Sequence, residues 1–196
     1  MPDTVFACYV GDKSGSMSNQ YKSSANGLYD WIKDLCSSVL NNNQEGYVSV
    51  TCFDSDSTRI MENINMRDVA ISLRDTFNWT QPNGVTRLFD TAIEEITLLS
   101  SRIKEYKENH PGKKVQGVFQ LFSDGFDNQS EKTRTDLQQA IETARTEGIS
   151  CIYLGIGQNA EEIGQSYGFS VDNSLSADLG DVTSSVAFRS CSLQTL

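Results

Sequence analysis

The sequence has little of what several common protein classes require. It contains one histidine, His110, so a Ser-His-Asp triad has a single possible base. Its 16 Lys and Arg residues are outnumbered by 26 Asp and Glu residues, and the net charge of −10 argues against nucleic-acid or anionic-membrane binding. Its apolar runs have strand length, too short for a transmembrane helix. No basic segment followed by an apolar one comes after Met1, so we expect no secretory signal.

The cysteine pattern indicates neither a disulfide framework nor a zinc site. The five cysteines form no C-x-x-C pair, and four of them lie in apolar segments; they are Cys8, Cys36, Cys52, Cys151 and Cys191. Small buried thiols in a reducing compartment are the simplest interpretation. We therefore expect a cytoplasmic protein.

Short apolar runs alternate with longer segments of helical period. Strands are predicted at 5–10, 47–53, 58–64, 115–122 and 149–154, with a short extended piece at 169–171. Helices are predicted at 21–40, 66–77, 88–106, 133–147, about 160–167 and within 181–191. The alternation predicts an α/β domain with a mostly parallel sheet covered on both faces. A polar turn of four residues before 58–64 adds one antiparallel edge strand.

Hard oxygen donors follow two of the predicted strands. Asp12, Ser14 and Ser16 come directly after the first strand, Asp124 follows the fourth, and Thr86 lies in the loop before a long helix. Ligands of open α/β sheets bind at the carboxyl ends of strands, where the strand order reverses. Carboxylates and hydroxyls without His or Cys favour Mg²⁺ or Mn²⁺ over zinc. The sequence thus predicts a hard-cation site at this edge.

These segments resemble the metal-ion-dependent adhesion site (MIDAS) of von Willebrand factor A (vWA) domains. Residues 12–17 (DKSGSM) resemble the family's DxSGSM segment, residues 84–88 (GVTRL) its GxTxL segment, and residues 123–128 (SDGFDN) its (T/S)DGxxN segment. Residues 153–155 (YLG) are similar to the intracellular and phage or bacterial branch of the family. The resemblance covers roughly residues 4–171.

The resemblance implies a fold and a function. The fold would be Rossmann-like, with three layers and a six-stranded sheet, in a single domain over 1–196 whose Ser-rich segment 172–196 carries a last helix. Ser14 and Ser16 would coordinate Mg²⁺ or Mn²⁺ directly, Thr86 directly or through water, and Asp12 and Asp124 mostly through water. The remaining position would accept an Asp or Glu of a protein partner. The chain would then be a non-enzymatic adaptor of multiprotein assemblies, without nucleic-acid or membrane partners.

Two other functions remain open at the same residues. The first is metal-assisted phosphoester hydrolysis, which lacks a general base because the only carboxylates available are committed to the ion. The second is a structural subunit with a vestigial metal site. In a third interpretation the Ser/Gly loop merely turns, and Asp12 and Asp124 cap helices.

Other motifs have simpler explanations. Residues 155–160 (GIGQNA) match a dinucleotide-binding pattern, but we interpret them as a tight turn with close helix packing because little chain follows. Residues 54–57 (DSDS) predict a hairpin turn rather than a calcium loop. Asp90 and Asp127 either tune the metal site or cap helices, and Trp79 either contacts a partner or packs internally.

Overall fold

Six β-strands and four α-helices occur in the computed structural model, which describes residues 1–19, 21–69, 82, 84–157 and 159–177, with only the backbone at 21–23. The strands are β1 (Thr4–Asp12), β2 (Glu45–Phe53), β3 (Ser57–Asn65), β4 (Val115–Ser123), β5 (Ile149–Ile156) and β6 (Ser174–Ala177). The helices are α1 (Tyr21–Asn41), α2 (Leu88–Asn109), α3 (Arg134–Thr146) and α4 (Ala160–Ser166).

The strands form one sheet in the order β3-β2-β1-β4-β5-β6. Every neighbouring pair is parallel except β2 and β3, so β3 is an antiparallel edge strand. This topology confirms the predicted mostly parallel α/β sheet with one antiparallel edge.

The central strand β1 is buried along all nine of its residues. A parallel strand covered on both faces needs an almost continuous apolar sequence, which β1 has. Alternate side chains then contribute to two separate cores, Tyr9 to one and Cys8 and Val10 to the other.

Each face of the sheet is covered by helices in the described part of the chain. On one face α1 buries an apolar stripe at helical spacing, made of Leu28, Trp31, Ile32, Leu35 and Val39. On the other face α2 and α3 contribute their buried stripes to the second core, made of Leu88, Ala92, Ile96, Leu99, Ile103, Leu137 and Ile141. The helical periods that predicted these stripes are confirmed.

The strand order reverses between β1 and β4. From β1 the chain continues to β2 on one side, whereas β4 continues to β5 on the other. Gly11 pairs with Phe122, so the residues that end β1 and follow β4 emerge side by side. A crevice at such a reversal is the usual ligand site of open α/β sheets.

Two segments differ from the sequence prediction. The strand predicted at 5–10 is longer in the structure, where β1 extends to Asp12, and a 3₁₀ helix follows it at Gly15–Asn19. The extended piece predicted at 169–171 lies before the last strand, because Val171–Asn173 forms a 3₁₀ turn and β6 follows it. Strand β6 therefore extends the sheet beyond the segment 4–171 that carries the family resemblance.

Several predictions concern residues outside the described part. The predicted helix at 66–77 begins in a turn at 66–68, and its remainder lies mostly beyond the described residues. Trp79, Cys191 and the helix predicted within 181–191 also lie there. Among the described helices, none combines the length and apolarity needed to cross a membrane.

Candidate metal centre

Asp12 is a buried carboxylate at the carboxyl end of β1. Its residue is 1% exposed, its Oδ1 accepts a hydrogen bond from the Ser14 backbone N–H at 2.8 Å, and its Oδ2 accepts one from the Ser123 hydroxyl at 2.7 Å. Burial raises the pKa of Asp12 to about 6, although the bonds from Ser14 and Ser123 oppose the shift, and the charge of Asp124 raises it further. The fold therefore places the Asp12 carboxylate in a buried environment that disfavours its charged form.

Ser14 and Ser16 place two hydroxyls beside this carboxylate. Their Oγ atoms lie 3.1 Å apart, with Ser14 buried and Ser16 exposed. The turn is anchored by Met17, which is 1% exposed and whose N–H donates to the Ser14 carbonyl at 3.0 Å. Ser14 and Ser16 therefore meet in a turn that leads into the 3₁₀ helix at Gly15–Asn19.

Thr86 is held against the segment that follows β4. Its residue is 3% exposed, and its backbone N–H donates to Oδ1 of Asn128 at 2.8 Å. Its carbonyl accepts the backbone N–H groups of Asn128 and Gln129, both at 3.2 Å. These bonds fasten Thr86 to the loop that carries Asp124.

Gly84 lets the Thr86 loop approach its neighbours. It has φ +78, and a Cβ added there would lie 2.2 Å from Oγ of Ser55. A Cβ added at Gly15 would lie 3.5 Å from the Gly84 carbonyl oxygen, so the Ser14 turn and the Thr86 loop are in contact range.

Asp124 follows β4 on a loop that is fastened at its glycine. Oδ1 of Asp124 accepts the Phe126 backbone N–H at 3.3 Å. The Gly125 N–H donates to the Ser123 hydroxyl at 3.0 Å, and its carbonyl accepts the Tyr167 hydroxyl at 2.6 Å. Gly125 has φ +87, a conformation that glycine tolerates best.

The five predicted donors reach one edge of the sheet by different routes. Asp12, Ser14 and Ser16 are joined by hydrogen bonds, Asp124 emerges beside Asp12, and Thr86 is tied to the Asp124 loop through its backbone. None of the five residues lies at the amino end of the parallel strands.

The donor set fits a hard divalent cation. It comprises two carboxylates and three hydroxyls, all hard oxygens. Among the described residues, no basic side chain forms an ion pair with Asp12 or Asp124, and Lys13 pairs with Asp54 at 3.0 Å instead. A buried carboxylate without a cationic partner is expensive, and a metal ion would relieve that cost. The described residues contain no group of three or more His, Cys, Asp or Glu side chains that could hold a metal.

Asp127 and Asp90 accept backbone hydrogen bonds from the segments that begin α2 and precede α3. Oδ2 of Asp127 accepts the Phe89 backbone N–H at 3.1 Å, which caps the start of α2. Asp90 accepts the backbone N–H of Lys132 at 2.9 Å and pairs with Arg87 at 2.8 Å. The capping interpretation of Asp127 is confirmed, and Asp90 anchors the segment before α3.

The alternative motifs are also placed by the structure. His110 ends α2, stacks on Tyr106 at 4.1 Å between ring centroids, and precedes β4, so it lies at the edge opposite Asp12. A Cβ added at Gly155 would lie 2.6 Å from Cβ of Ala160, which confirms a tight turn with close helix packing. Asp54 and Asp56 form the predicted hairpin turn, with the Asp54 N–H donating to the Asp56 carbonyl at 3.0 Å.

Three residues that support the site were not predicted as such. Ser123 holds Asp12, Asn128 holds Thr86, and Tyr167 holds Gly125. Ser123 and Asn128 occupy the first and last positions of the SDGFDN segment, so the motif itself contained the signal. Tyr167 lies about 40 residues further along, and its sequence context contains no such signal.

No protein-family profile and no curated protein sequence matches the chain. Among solved structures, proximal thread matrix protein 1 from the mussel byssus, with a zinc-occupied MIDAS motif, is 16% identical with a TM-score of 0.64; the match covers 99% of this chain and 46% of that one. A von Willebrand factor type A structure from Catenulispora acidiphila is 15% identical with a TM-score of 0.61, covering 99% and 43%.

A third structure matches over its whole length. BatB from Bacteroides thetaiotaomicron, described as a conserved hypothetical protein, is 13% identical with a TM-score of 0.62, covering 97% of this chain and 99% of that one. The chain thus spans less than half of the mussel and Catenulispora chains. At these identities the likeness concerns the fold alone. Together, the sheet topology and these neighbours show that the chain has the α/β fold of von Willebrand factor A domains.

Proposed function

We propose that the chain is a divalent-metal-dependent protein-binding domain of the MIDAS type. Asp12, Ser14, Ser16, Thr86 and Asp124 would hold Mg²⁺ or Mn²⁺ at the carboxyl edge of the sheet. The observation that carries the proposal is the buried Asp12 carboxylate, which is oriented by Ser14 and Ser123 and has no basic ion-pair partner among the described residues.

The charge balance supports a carboxylate as the group that is captured. Two carboxylates, Asp12 and Asp124, neutralise a divalent ion to about zero net charge, while hydroxyls are weak ligands. When bound, such an ion supplies a Lewis-acidic position for one more anionic oxygen. We infer that an Asp or Glu side chain of a protein partner occupies that position, as the resemblance implies.

Binding rather than hydrolysis is proposed because the described part of the site offers no base. The single histidine lies at the opposite edge of the sheet, next to Tyr106. The carboxylates near the donors are already engaged: Asp54 pairs with Lys13, and Asp127 accepts from Phe89 and Ser130. A free carboxylate positioned to activate water is not among these.

Metal binding is tested by titrating the full chain with MgCl₂ and MnCl₂ in a calorimeter. The parent should bind one ion, and Asp12→Asn and Asp124→Asn should weaken binding at least tenfold, because each removes a charge that faces the ion. Asp172→Asn is the matched control, since Asp172 is exposed and precedes β6, the edge strand three places from β1 in the sheet. It should bind like the parent.

The result also separates the alternatives. Equal Mg²⁺ affinity of the parent and of the Asp12→Asn, Asp124→Asn and Asp172→Asn variants would contradict the proposed site. Metal binding with turnover of p-nitrophenyl phosphate that Asp12→Asn abolishes would favour a hydrolase instead. Metal binding without any effect of chelator on partner capture would favour a vestigial site.

A further inference from the structure

Phe126 is an exposed aromatic residue next to the candidate metal centre. It is 67% exposed, and it is the only aromatic among the large apolar side chains exposed in the described residues. The others are Met1, Leu40, Ile60, Ile64 and Val171. Single exposed apolar residues are common on protein surfaces, so the position of this ring next to the candidate metal centre is what makes it a candidate contact residue.

The loop that displays Phe126 is held in place by hydrogen bonds on both sides. The Phe126 N–H donates to Oδ1 of Asp124 at 3.3 Å, and the preceding Gly125 is bound by Tyr167 and Ser123. After Phe126, the Asp127 carboxylate caps α2. A rigidly presented aromatic loses little entropy on binding, which is the property of an interface anchor.

Phe126 lies close to the donors along the chain. Its N–H donates to the Asp124 carboxylate, and Gly15, Ser16 and Gly84, which are exposed in the donor loops, carry no large side chain. Phe126 is two residues from Asp124, and two residues of extended chain span about 7 Å. A partner whose acidic side chain reaches the donors would therefore place its adjacent residues over the phenyl ring.

Electrostatics also require an apolar contribution. The chain has a net charge of −10, which opposes the approach of an acidic partner within the screening length of about 8 Å at physiological salt. Apolar contact is not affected by that repulsion. Apolar contact with Phe126 would therefore add to the affinity for an acidic partner, whereas an ion whose charge is already neutralised attracts that partner only weakly.

Resting on the proposed function, we infer that Phe126 selects partners in which the captured Asp or Glu has a large apolar residue one or two positions away. The occupant is thus an acidic-apolar peptide segment of a protein. Phe126 acts by contact with the partner and does not hold the metal.

The test is selection of a phage-displayed random peptide library on the full chain in Mg²⁺, with elution by EDTA. Parent protein should enrich peptides containing Asp or Glu with Leu, Ile, Met, Phe or Trp within two positions. Phe126→Ser should bind the selected peptides about tenfold more weakly in fluorescence anisotropy, while its calorimetric Mg²⁺ affinity is unchanged. Val171→Ser is the matched control, because Val171 is 68% exposed and lies just before β6, three strands from β1 in the sheet.

Each other outcome has a defined meaning. EDTA-eluted acidic peptides without apolar neighbours, or equal binding by Phe126→Ser, would overturn the inference and leave the proposed function intact. Absence of EDTA-eluted peptides from a protein that binds Mg²⁺ would overturn both. A change from oligomer to monomer in Phe126→Ser by analytical ultracentrifugation would assign the ring to self-association and overturn the inference.

Discussion

At the residue scale, Asp12 combines a structural cost with a proposed functional role. It is 1% exposed, and its two carboxylate oxygens accept bonds from Ser14 and Ser123. Those bonds orient the carboxylate but do not compensate for its burial, since its pKa is raised to about 6. Without a cation, the charged form of Asp12 should therefore reduce the stability of the folded chain.

The pH dependence of stability tests this account of Asp12. The pKa of Asp12 is about 6 in the folded chain and lower in the unfolded chain, so between pH 4 and 6 the folded state binds more protons than the unfolded state. The contribution of Asp12 to the free energy of unfolding therefore falls as the pH rises through that range. In EDTA, Asp12→Asn should gain up to about 3 kcal/mol relative to the parent between pH 4 and pH 7. Urea unfolding of both proteins at several pH values measures the difference.

Two comparisons make this prediction specific to Asp12. Asp172→Asn should show no such gain, because Asp172 lies on an exposed turn. Saturating Mg²⁺ should stabilise the parent at pH 7 but not Asp12→Asn, since a ligand that binds only the native state raises its stability. A difference between Asp12→Asn and the parent that does not change with pH would contradict the account.

At the element scale, the candidate site depends on loops as well as on strands. Strands β1 and β4 bring Asp12 and Asp124 side by side. Thr86 instead precedes helix α2, and its backbone hydrogen bonds are made with the loop after β4. Its position depends on Asn128, whose side chain and backbone both bond to it. The loop after β4 thus holds both Asp124 and Thr86.

Removing the Asn128 side chain tests this coupling between loops. Asn128→Ala deletes the acceptor of the Thr86 N–H, so stability should fall by about 1 kcal/mol and Mg²⁺ affinity by about tenfold. Gln129→Ala is the matched control, because Gln129 is exposed and bonds to Thr86 only through its backbone. Urea unfolding and calorimetry measure both quantities. Equal Mg²⁺ affinity in the two variants would show that Thr86 does not depend on this bond.

At the scale of the whole molecule, the sheet and its helices were predictable from hydrophobic period. Strand β1 is apolar along its length because both faces are covered, and α1 repeats Leu28, Trp31 and Leu35 at helical spacing. The proximity of Asp12 and Asp124 was predictable because residues at the carboxyl ends of neighbouring parallel strands lie close together, whereas the position of Thr86 depends on loop contacts. Their role as metal ligands stays a prediction.

The remaining parts depend on contacts that sequence does not display. Strand β6 has four residues, SLSA, with no alternation of its own, and it exists because it pairs with the exposed edge of β5. The 3₁₀ helix at Gly15–Asn19 is anchored by burial of Met17, a tertiary contact. Tyr167 bonds to Gly125 across 42 residues, which no local pattern reveals.

The most direct measurement is a crystal structure of the full chain grown with MnCl₂, with anomalous diffraction data collected at the manganese edge. The account predicts one anomalous peak enclosed by the Ser14 and Ser16 hydroxyls, Thr86 and the carboxylates of Asp12 and Asp124, and no such peak in crystals of Asp12→Asn. A parent structure at full manganese concentration with no peak among those five residues, or with the peak elsewhere, would contradict it.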